Sequence, residues 1–230
     1  MPNIIHIETS TEVCSVALSS DGVVKFQQQN FDGPSHAALL GGYIQEAITF
    51  ARTNDIPLHA VAVSSGPGSY TGLRIGVSQA KGLCFGMDLP LIAVSTLELL
   101  CCTAMFRVDI EDGAWICPMI DARRMEVYAA VYDECLNPVM PVGAYVVDEH
   151  TFANVLSQHK VIFCGNGAAK CAEVINHPNA IFVDGVYPLA SGMLALAERA
   201  FARGQFCDVA YYEPFYLKEF VATTPKNKVL

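Results

Sequence analysis

The chain has 230 residues, of which 52% are hydrophobic and 16% charged, and its formal net charge is −9. This composition excludes an intrinsically disordered chain and allows a large hydrophobic core. The negative charge argues against direct binding of nucleic acid by this chain alone, because its field repels a phosphate backbone.

The predicted elements fall into two halves of the same order, in which three strands precede alternating helices and strands. The first half predicts strands 3–9, 13–19 and 23–29, helix 35–52, strand 60–64, helix 72–86, strand 89–94 and helix 96–107. The second half predicts strands 115–120, 126–132 and 139–147, helix 151–158, strand 161–164, helix 168–176, strand 181–183 and helix 190–203. Each half therefore has the order β-β-β-α-β-α-β-α.

This duplicated order predicts an α/β fold of two domains, residues 1–110 and 111–230, each with a mixed sheet flanked by helices. The actin-like ATPase superfamily, whose domains are ribonuclease H-like, has the same order in each half. This analogy concerns the fold and does not give the function.

Membrane and secretory signals are weak in this sequence. The apolar stretch 89–106 approaches the length of a membrane span, but Glu98 and the pair Ser95-Thr96 favour a strand followed by a helix. No signal peptide is recognisable. The nine cysteines include no CxxC pair, so we expect buried thiols in a reducing, cytoplasmic protein without a membrane contact.

A glycine-rich string joins the fourth predicted strand to the next helix. The unpaired N–H groups of a helix start could bind a phosphate or another anion, or the string could be only a tight turn. We expect Thr71 to cap the helix. The string lacks the Gly-Lys-Ser/Thr ending of a P-loop. Its candidate anion-binding residues are Gly66, Gly68, Ser69, Thr71 and Gly72.

The first hairpin supplies a second candidate anion site. Glu8 could hold a hydrated Mg²⁺ there, while Thr9 and Ser10 could donate hydroxyl hydrogen bonds to phosphate. A plain hairpin turn explains the same residues.

The second half contains a corresponding hairpin that suits phosphate binding less well. Its hairpin 121–126 has Arg123 and Arg124 at the tip instead of glycine, which argues against a tight backbone contact with phosphate. Asp121 is the carboxylate to test as a general base. Gly165 and Gly167 end a later strand and could face a nucleotide base or form a turn.

Helices 35–52 and 72–86 carry broad apolar stripes, which suit either a core position or a partner interface. The adjacent Gly41 and Gly42 would permit close approach of another helix, at a cost of about 1 kcal/mol each relative to alanine. The candidate partner residues are His36, Leu39, Leu40, Tyr43, Ile44, Ala47, Ile48, Arg74, Gly76, Ser78, Ala80, Lys81 and Cys84.

Metal and nucleophile motifs are absent from the sequence. No two histidines lie three or four residues apart, so no helix presents a metal-binding pair. There is also no Gly-x-Ser-x-Gly nucleophile elbow.

Several strings together resemble the TsaB family, which takes part in bacterial tRNA threonylcarbamoyladenosine synthesis. They lie at residues 8–12, 66–76, 80–83, 94–97, 121–123 and 126–128. The resemblance implies a relative of TsaD, the metal-dependent enzyme that transfers threonylcarbamoyl to an adenosine of tRNA. Thr96 and Leu100 stand where the two metal-binding histidines of TsaD would be, so it implies a chain without that metal and without catalysis.

The resemblance further implies a scaffold subunit that binds TsaD, works with the ATPase TsaE, and forms a homodimer when alone. Helices 35–52 and 72–86 would form the contact. No cofactor would be required, although ATP or ADP could bind. The sequence departs from the family at Glu8, where aspartate is usual, and at Gly41-Gly42.

Two other functions stay open at this point. An active actin-like ATPase or phosphotransferase is favoured by the element order and by the loops at Glu8 and at residues 66–72. A glycoprotease-like metallopeptidase would need the paired histidines that the sequence lacks.

Overall fold

The structure, a computed structural model, describes residues 1–33 and 35–218. The first half contains β1 (Ile4–Glu8), β2 (Cys14–Ser20), β3 (Val23–Asn30), α1 (His36–Thr53), β4 (Ala60–Gly66), α2 (Tyr70–Met87), β5 (Leu91–Ser95) and α3 (Thr96–Arg107). The second half contains β6 (Trp115–Asp121), β7 (Glu126–Tyr132), β8 (Pro138–Val146), α4 (Ala153–Leu156), β9 (Val161–Cys164), α5 (Ala168–Cys171) and β10 (Ala180–Val183). A 3₁₀ turn at Ala190–Met193 and α6 (Leu194–Ala202) follow.

Both halves build a five-stranded mixed sheet on the same plan. The strand orders are β3-β2-β1-β4-β5 and β10-β9-β6-β7-β8. In each sheet the first three strands pair antiparallel and the last two add in parallel. The duplicated order and the mixed sheets predicted from the sequence are therefore confirmed.

The helices of the second half are shorter than predicted. α4 and α5 have four residues each, whereas helices 151–158 and 168–176 were expected. Turns replace their last residues, and these turns keep helical hydrogen bonds, such as that from Ile175 N to Cys171 O at 2.9 Å. The predicted helix 190–203 likewise begins as a 3₁₀ turn.

Helices α1 and α2 cover one face of the first sheet. The apolar stripe of α1, including Leu40, Ile44 and Ala47, packs in one cluster with Ile5 and Ile7 of β1. The stripe follows the helical repeat because the sheet face beneath it is continuous and apolar.

Helix α3 lies between the two halves and is buried on both sides. Leu99 and Cys102 join the cluster on the first sheet, while Leu97, Leu100 and Cys101 join one built by the second sheet. A helix with two apolar neighbours needs an apolar surface all round, which explains its weak periodicity.

The C-terminal part of the chain returns to the first half. Met193 and Leu196 pack against Ile92 and Val94 of β5, and Cys207 N donates to Leu91 O at 2.9 Å. Residues of the segment 190–212 therefore pack on the first sheet, whereas the predicted division at residue 111 assigns them to the second domain. This segment covers the face of β5 that α1 and α2 leave uncovered, while residues 219–230 lie outside the described part.

The expectations about thiols and membrane spans can be compared directly with the structure. All nine cysteines are free thiols; most are buried, while Cys135 is exposed. Residues 89–106 form the predicted strand and helix. Within residues 1–33 and 35–218, no helix combines the length and hydropathy that a bilayer crossing requires.

The return of α6 to the first sheet predicts unequal effects of two leucine truncations. Leu196→Ala should destabilise the protein by about 2–4 kcal/mol, because it opens a cavity against β5. Leu194→Ala, at a half-buried site on the same helix, should cost about 1 kcal/mol. Urea unfolding measures both, and equal losses would contradict the packing of α6 on β5.

Candidate cleft and outer helix surface

The turn after β1 lies directly on the glycine-rich loop. A Cβ atom added to Gly68 would lie 2.3 Å from Ser10 O, and one added to Gly72 would lie 2.1 Å from Thr9 O. Ser69 N donates to Ser10 O at 2.6 Å, and the Thr9 hydroxyl donates to Gly72 O at 2.8 Å. The glycines therefore admit the chain's own hairpin, and this hairpin fills much of the space expected for an anion.

The N-cap of α2 differs from the predicted one. Helix α2 begins at Tyr70, and the Ser69 hydroxyl accepts a hydrogen bond from Gly72 N at 3.2 Å. Ser69 is therefore the cap, and the prediction of Thr71 is wrong because the helix starts one residue before it. Ser35 precedes α1, but its hydroxyl donates to Asn30 Oδ1 instead of capping the helix.

Glu8 is completely buried at the end of β1. Its Oε1 accepts a hydrogen bond from Ser10 N at 2.5 Å, while no described residue pairs with Oε2. Burial raises the pKa of the Glu8 carboxyl to about 7, and the hydrogen bonds around it only partly oppose this rise. This environment disfavours the ionised form that a hydrated Mg²⁺ would require.

The second hairpin is closed by a lysine of α5. Lys170 Nζ forms an ion pair with Asp121 and donates to the carbonyls of Arg124 and Glu126, both at 2.7 Å. Asp121 Oδ1 also accepts from Arg123 N at 3.1 Å. Asp121 is therefore held by a fixed cation, which makes it a poor general base.

The tip of this hairpin has an unusual backbone. Arg123 and Arg124 are both exposed and have φ angles of 71° and 50°. For residues other than glycine, asparagine and aspartate, this left-handed conformation costs roughly 1–2 kcal/mol each. The fold alone would favour glycine or asparagine at both positions.

One hydrogen bond links the loops of the two halves, and a second fixes its donor within the second half. Asn166 Nδ2 donates to Glu12 Oε2 at 2.8 Å, and Asn166 Oδ1 accepts from Asp121 N at 3.0 Å. Its neighbours Gly165 and Gly167 lie against the backbone of β6. The structure thus brings the predicted loops of both halves to one cleft, but it closes them with protein groups.

The two positions that match the metal-binding histidines of TsaD lie inside the hydrophobic core. Thr96 and Leu100 are both fully buried. Leu100 packs beside Gly165, where an added Cβ would lie 3.3 Å from its Cδ1. Across the described ranges, no group of three or more His, Cys, Asp or Glu side chains has the arrangement of a metal site.

Many residues of the predicted partner surface are core residues instead. Burial within the single chain makes that prediction wrong for His36, Leu40, Ile44, Ala47, Ile48, Gly76, Ala80 and Cys84. Leu39 and Tyr43 are half-buried against the same core. Lys81 donates to the carbonyls of Ala210 and Tyr212. The apolar stripes serve the first sheet, and only Arg74 and Ser78 of the predicted set are well exposed.

The exposed faces of α1 and α2 form a different surface, called here the outer helix surface. Phe85, which is 87% exposed, projects from it. An added Cβ at Gly42, Gly82 or Gly86 would meet no atom within 4 Å, so the surface is flat around this ring. Its residues are Ala38, Gly41, Gly42, Gln45, Ser78, Gly82, Phe85 and Gly86.

The sequence reasoning missed Phe85 and Gly82, although a signal was present. Both residues lie off the apolar stripe of α2, and a large apolar residue out of phase with a core stripe must face away from that core. Asn166 and Lys170 gave no comparable signal, because their partners lie elsewhere in the sequence.

A family model described as TsaD, tRNA N6-adenosine threonylcarbamoyltransferase, matches residues 32–224. A Pseudomonas aeruginosa crystal structure, described as similar to the peptidase YeaZ, has a TM-score of 0.78 at 27% identity and covers 95% of this chain and 100% of its own. A second structure, YeaZ from Pseudomonas aeruginosa, has a TM-score of 0.75 at 26% identity, covering 94% of this chain and 100% of its own. The protein is therefore a TsaD-related member of the actin-like ATPase fold class.

Two curated relatives identify the family within this class. The TsaB protein of Escherichia coli K12 is 33% identical over 95% of this chain and 96% of its own length. That of Haemophilus influenzae is 28% identical over 95% and 94%. The chain belongs to the TsaB family of tRNA threonylcarbamoyladenosine biosynthesis proteins.

The hairpin packing predicts opposite effects of two glycine substitutions. Gly72→Ala should destabilise the protein by about 1–3 kcal/mol, because its methyl group meets the backbone carbonyl of Thr9. Gly42→Ala, on the exposed face of α1, should stabilise it by about 0.5–1 kcal/mol. Chemical denaturation compares them, and an unchanged stability of Gly72→Ala would show that the hairpin does not rest on this helix.

The raised pKa of Glu8 predicts a pH dependence that Glu8→Gln should remove. The folded protein keeps this carboxyl protonated from its ordinary pKa of 4.5 to about 7, whereas the unfolded chain ionises. The wild type should therefore lose about 3 kcal/mol relative to Glu8→Gln as the pH rises through this window.

The difference in unfolding free energy between the wild type and Glu8→Gln isolates the contribution of Glu8 from those of the other titratable groups. His6 acts in the opposite sense, because burial lowers its pKa to about 3, so its contribution is lost as the pH falls. Denaturation at pH 4.5, 6 and 7.5 gives the difference curve. A flat curve would show that Glu8 ionises normally in the folded state.

Proposed function

We propose that this protein is a non-catalytic accessory subunit that binds TsaD, together with TsaE, for threonylcarbamoylation of adenosine in tRNA. The observation that carries the proposal is the outer helix surface, where an exposed Phe85 stands on two glycine-rich helix faces. The TsaE part rests on the family resemblance. We also propose a cytoplasmic location, because the relatives are named for a modification of tRNA.

The geometry of this surface suits helix packing. Small residues let the axes of two helices approach closely, and the glycines of α1 and α2 leave no side chain in the way. An aromatic ring at the centre of such a surface is a typical anchor of a protein interface.

The same surface suits a second copy when TsaD is absent. A two-fold contact uses one patch on both subunits, and the patch must complement itself. Two facing pairs of glycine-rich helices meet this requirement. We therefore expect a homodimer of the isolated chain that TsaD displaces.

The cleft supports a role without catalysis and without a required cofactor. Thr9 and Ser10 occupy the glycine-rich loop, and Lys170 occupies the second hairpin. Thr96 and Leu100 belong to the apolar core. The alternative of an active ATPase or phosphotransferase keeps the support of the element order, but these contacts oppose it, because the phosphate would compete with the chain's own groups.

The docking proposal predicts different effects of two exposed phenylalanines. Phe85→Asp should weaken binding to TsaD by about tenfold or more, which is about 1.4 kcal/mol, because it places a charge in the interface. Phe106→Asp is the matched control, since Phe106 is 82% exposed but lies at the end of α3. Titration calorimetry with TsaD from the same organism measures both.

Both variants should keep the wild-type melting temperature, because neither ring contributes to the core. Wild-type protein that forms no complex with TsaD at micromolar concentration would end the proposal. A loss of binding in Phe106→Asp, but not in Phe85→Asp, would move the interface to α3.

A further inference from the structure

We propose that a strip of basic and aromatic residues across the mouth of the cleft binds the tRNA backbone once this chain is assembled with TsaD. This inference rests on the proposed function and adds a substrate contact to it. The basic strip consists of Arg74, Tyr70, Tyr216, Lys218, Arg123 and Arg124.

The strip is continuous across both halves of the molecule. The guanidinium of Arg74 lies 4.5 Å from the centre of the Tyr70 ring, and this ring lies 4.9 Å from that of Tyr216. Lys218 then forms an ion pair with Glu126, next to the hairpin tip.

The segment that carries Tyr216 is fixed in place. Phe215 N donates to Ser65 O at 2.7 Å, and Lys81 holds the carbonyls of Ala210 and Tyr212 at 3.1 and 3.0 Å. Rings on a fixed backbone lose little entropy when a ligand stacks on them.

The arginines of the strip carry uncompensated charge. Among the residues that the structure describes, Arg74, Arg123 and Arg124 enter no ion pair. Glu126 neutralises Lys218, and Asp121 neutralises Lys170. Three guanidinium groups without an ion pair, on a protein of net charge −9, form a local site for a polyanion.

The hairpin tip gives a second, independent argument. Arg123 and Arg124 hold a left-handed backbone that glycine or asparagine adopts more easily. Their exposed side chains make no ion pair that would justify these residues within the fold. Backbone strain that no contact within the chain offsets indicates a contact with another molecule.

The chemistry of the strip favours RNA over an acidic protein. Two half-exposed rings accompany the arginines, since Tyr70 lies beside both Arg74 and Tyr216. Guanidinium groups bind phosphates, and aromatic faces stack on unpaired bases. An acidic protein surface would use the charges but would leave the rings in water.

The test measures tRNA binding to the assembled complex. Labelled tRNA is titrated with the TsaD complex of each variant, and fluorescence anisotropy is followed between low and high salt. Arg123→Asn with Arg124→Gly should lower the affinity by about tenfold or more and reduce the salt slope by about two. The same variant should melt at the wild-type temperature or above it, because the turn is relaxed.

A charge-matched control separates local contact from overall charge. Lys25→Asn with Arg52→Gln removes the same charge from exposed sites on β3 and in the last turn of α1 and should bind tRNA within twofold of the wild type. Size-exclusion chromatography verifies complex formation before RNA is added. No complex with wild-type protein overturns the proposed function and this inference together.

Two other outcomes would overturn only the inference about tRNA binding. Equal tRNA affinity of the hairpin variant and the wild type, with both complexes formed, overturns it. A hairpin variant that no longer binds TsaD or TsaE also overturns it, because the strip would then be a protein contact.

Discussion

The contact between the first hairpin and the glycine-rich loop determines which surfaces near the start of α2 can bind other molecules. The carbonyls of Thr9 and Ser10 approach Gly72 and Gly68 more closely than any side chain would permit. This contact fixes the start of α2 on the end of β1. A loop that could bind an anion in isolation is therefore a packing surface here, and the outer face of α2 remains for contacts with other molecules.

Helix α3 carries the second constraint. It packs between the two sheets, so its faces toward them must be apolar, and Leu100 contributes to this packing. A histidine pair that held a metal would need polar surroundings and an open coordination position. Thr96 and Leu100 are instead buried in the packing between the two halves.

The sequence predicted the parts of the fold that depend on local patterns. Strand alternation and helical stripes gave the order of both halves, and α3 was placed at its observed bounds. The stripe of α1 was also visible, but a stripe does not say whether a sheet of the same chain or a partner covers it. Leu40 and Ile44 were therefore assigned to the wrong surface, whereas Phe85, out of phase with the stripe of α2, would have been the better signal.

Contacts between distant segments could not be predicted from sequence patterns. The pairing of Asn166 with Glu12, and that of Lys170 with the hairpin carbonyls, depend on how the two sheets meet. The return of residues 207–218 to the first half gave no periodic signal, because this segment has no regular element. The distances at Gly68 and Gly72 likewise follow from the tertiary arrangement, although the glycines themselves marked the place.

The outer helix surface and the basic strip meet on one line of α2. Arg74, Ser78, Gly82 and Phe85 follow steps of four, four and three residues, so they share one exposed face. Arg74 and Phe85 are eleven residues apart, which places them about 16 Å apart along the helix axis. A partner centred on Phe85 would therefore leave Arg74 at the edge of its footprint. RNA lying along the strip would then reach the partner at this edge, so the two surfaces can be occupied at the same time.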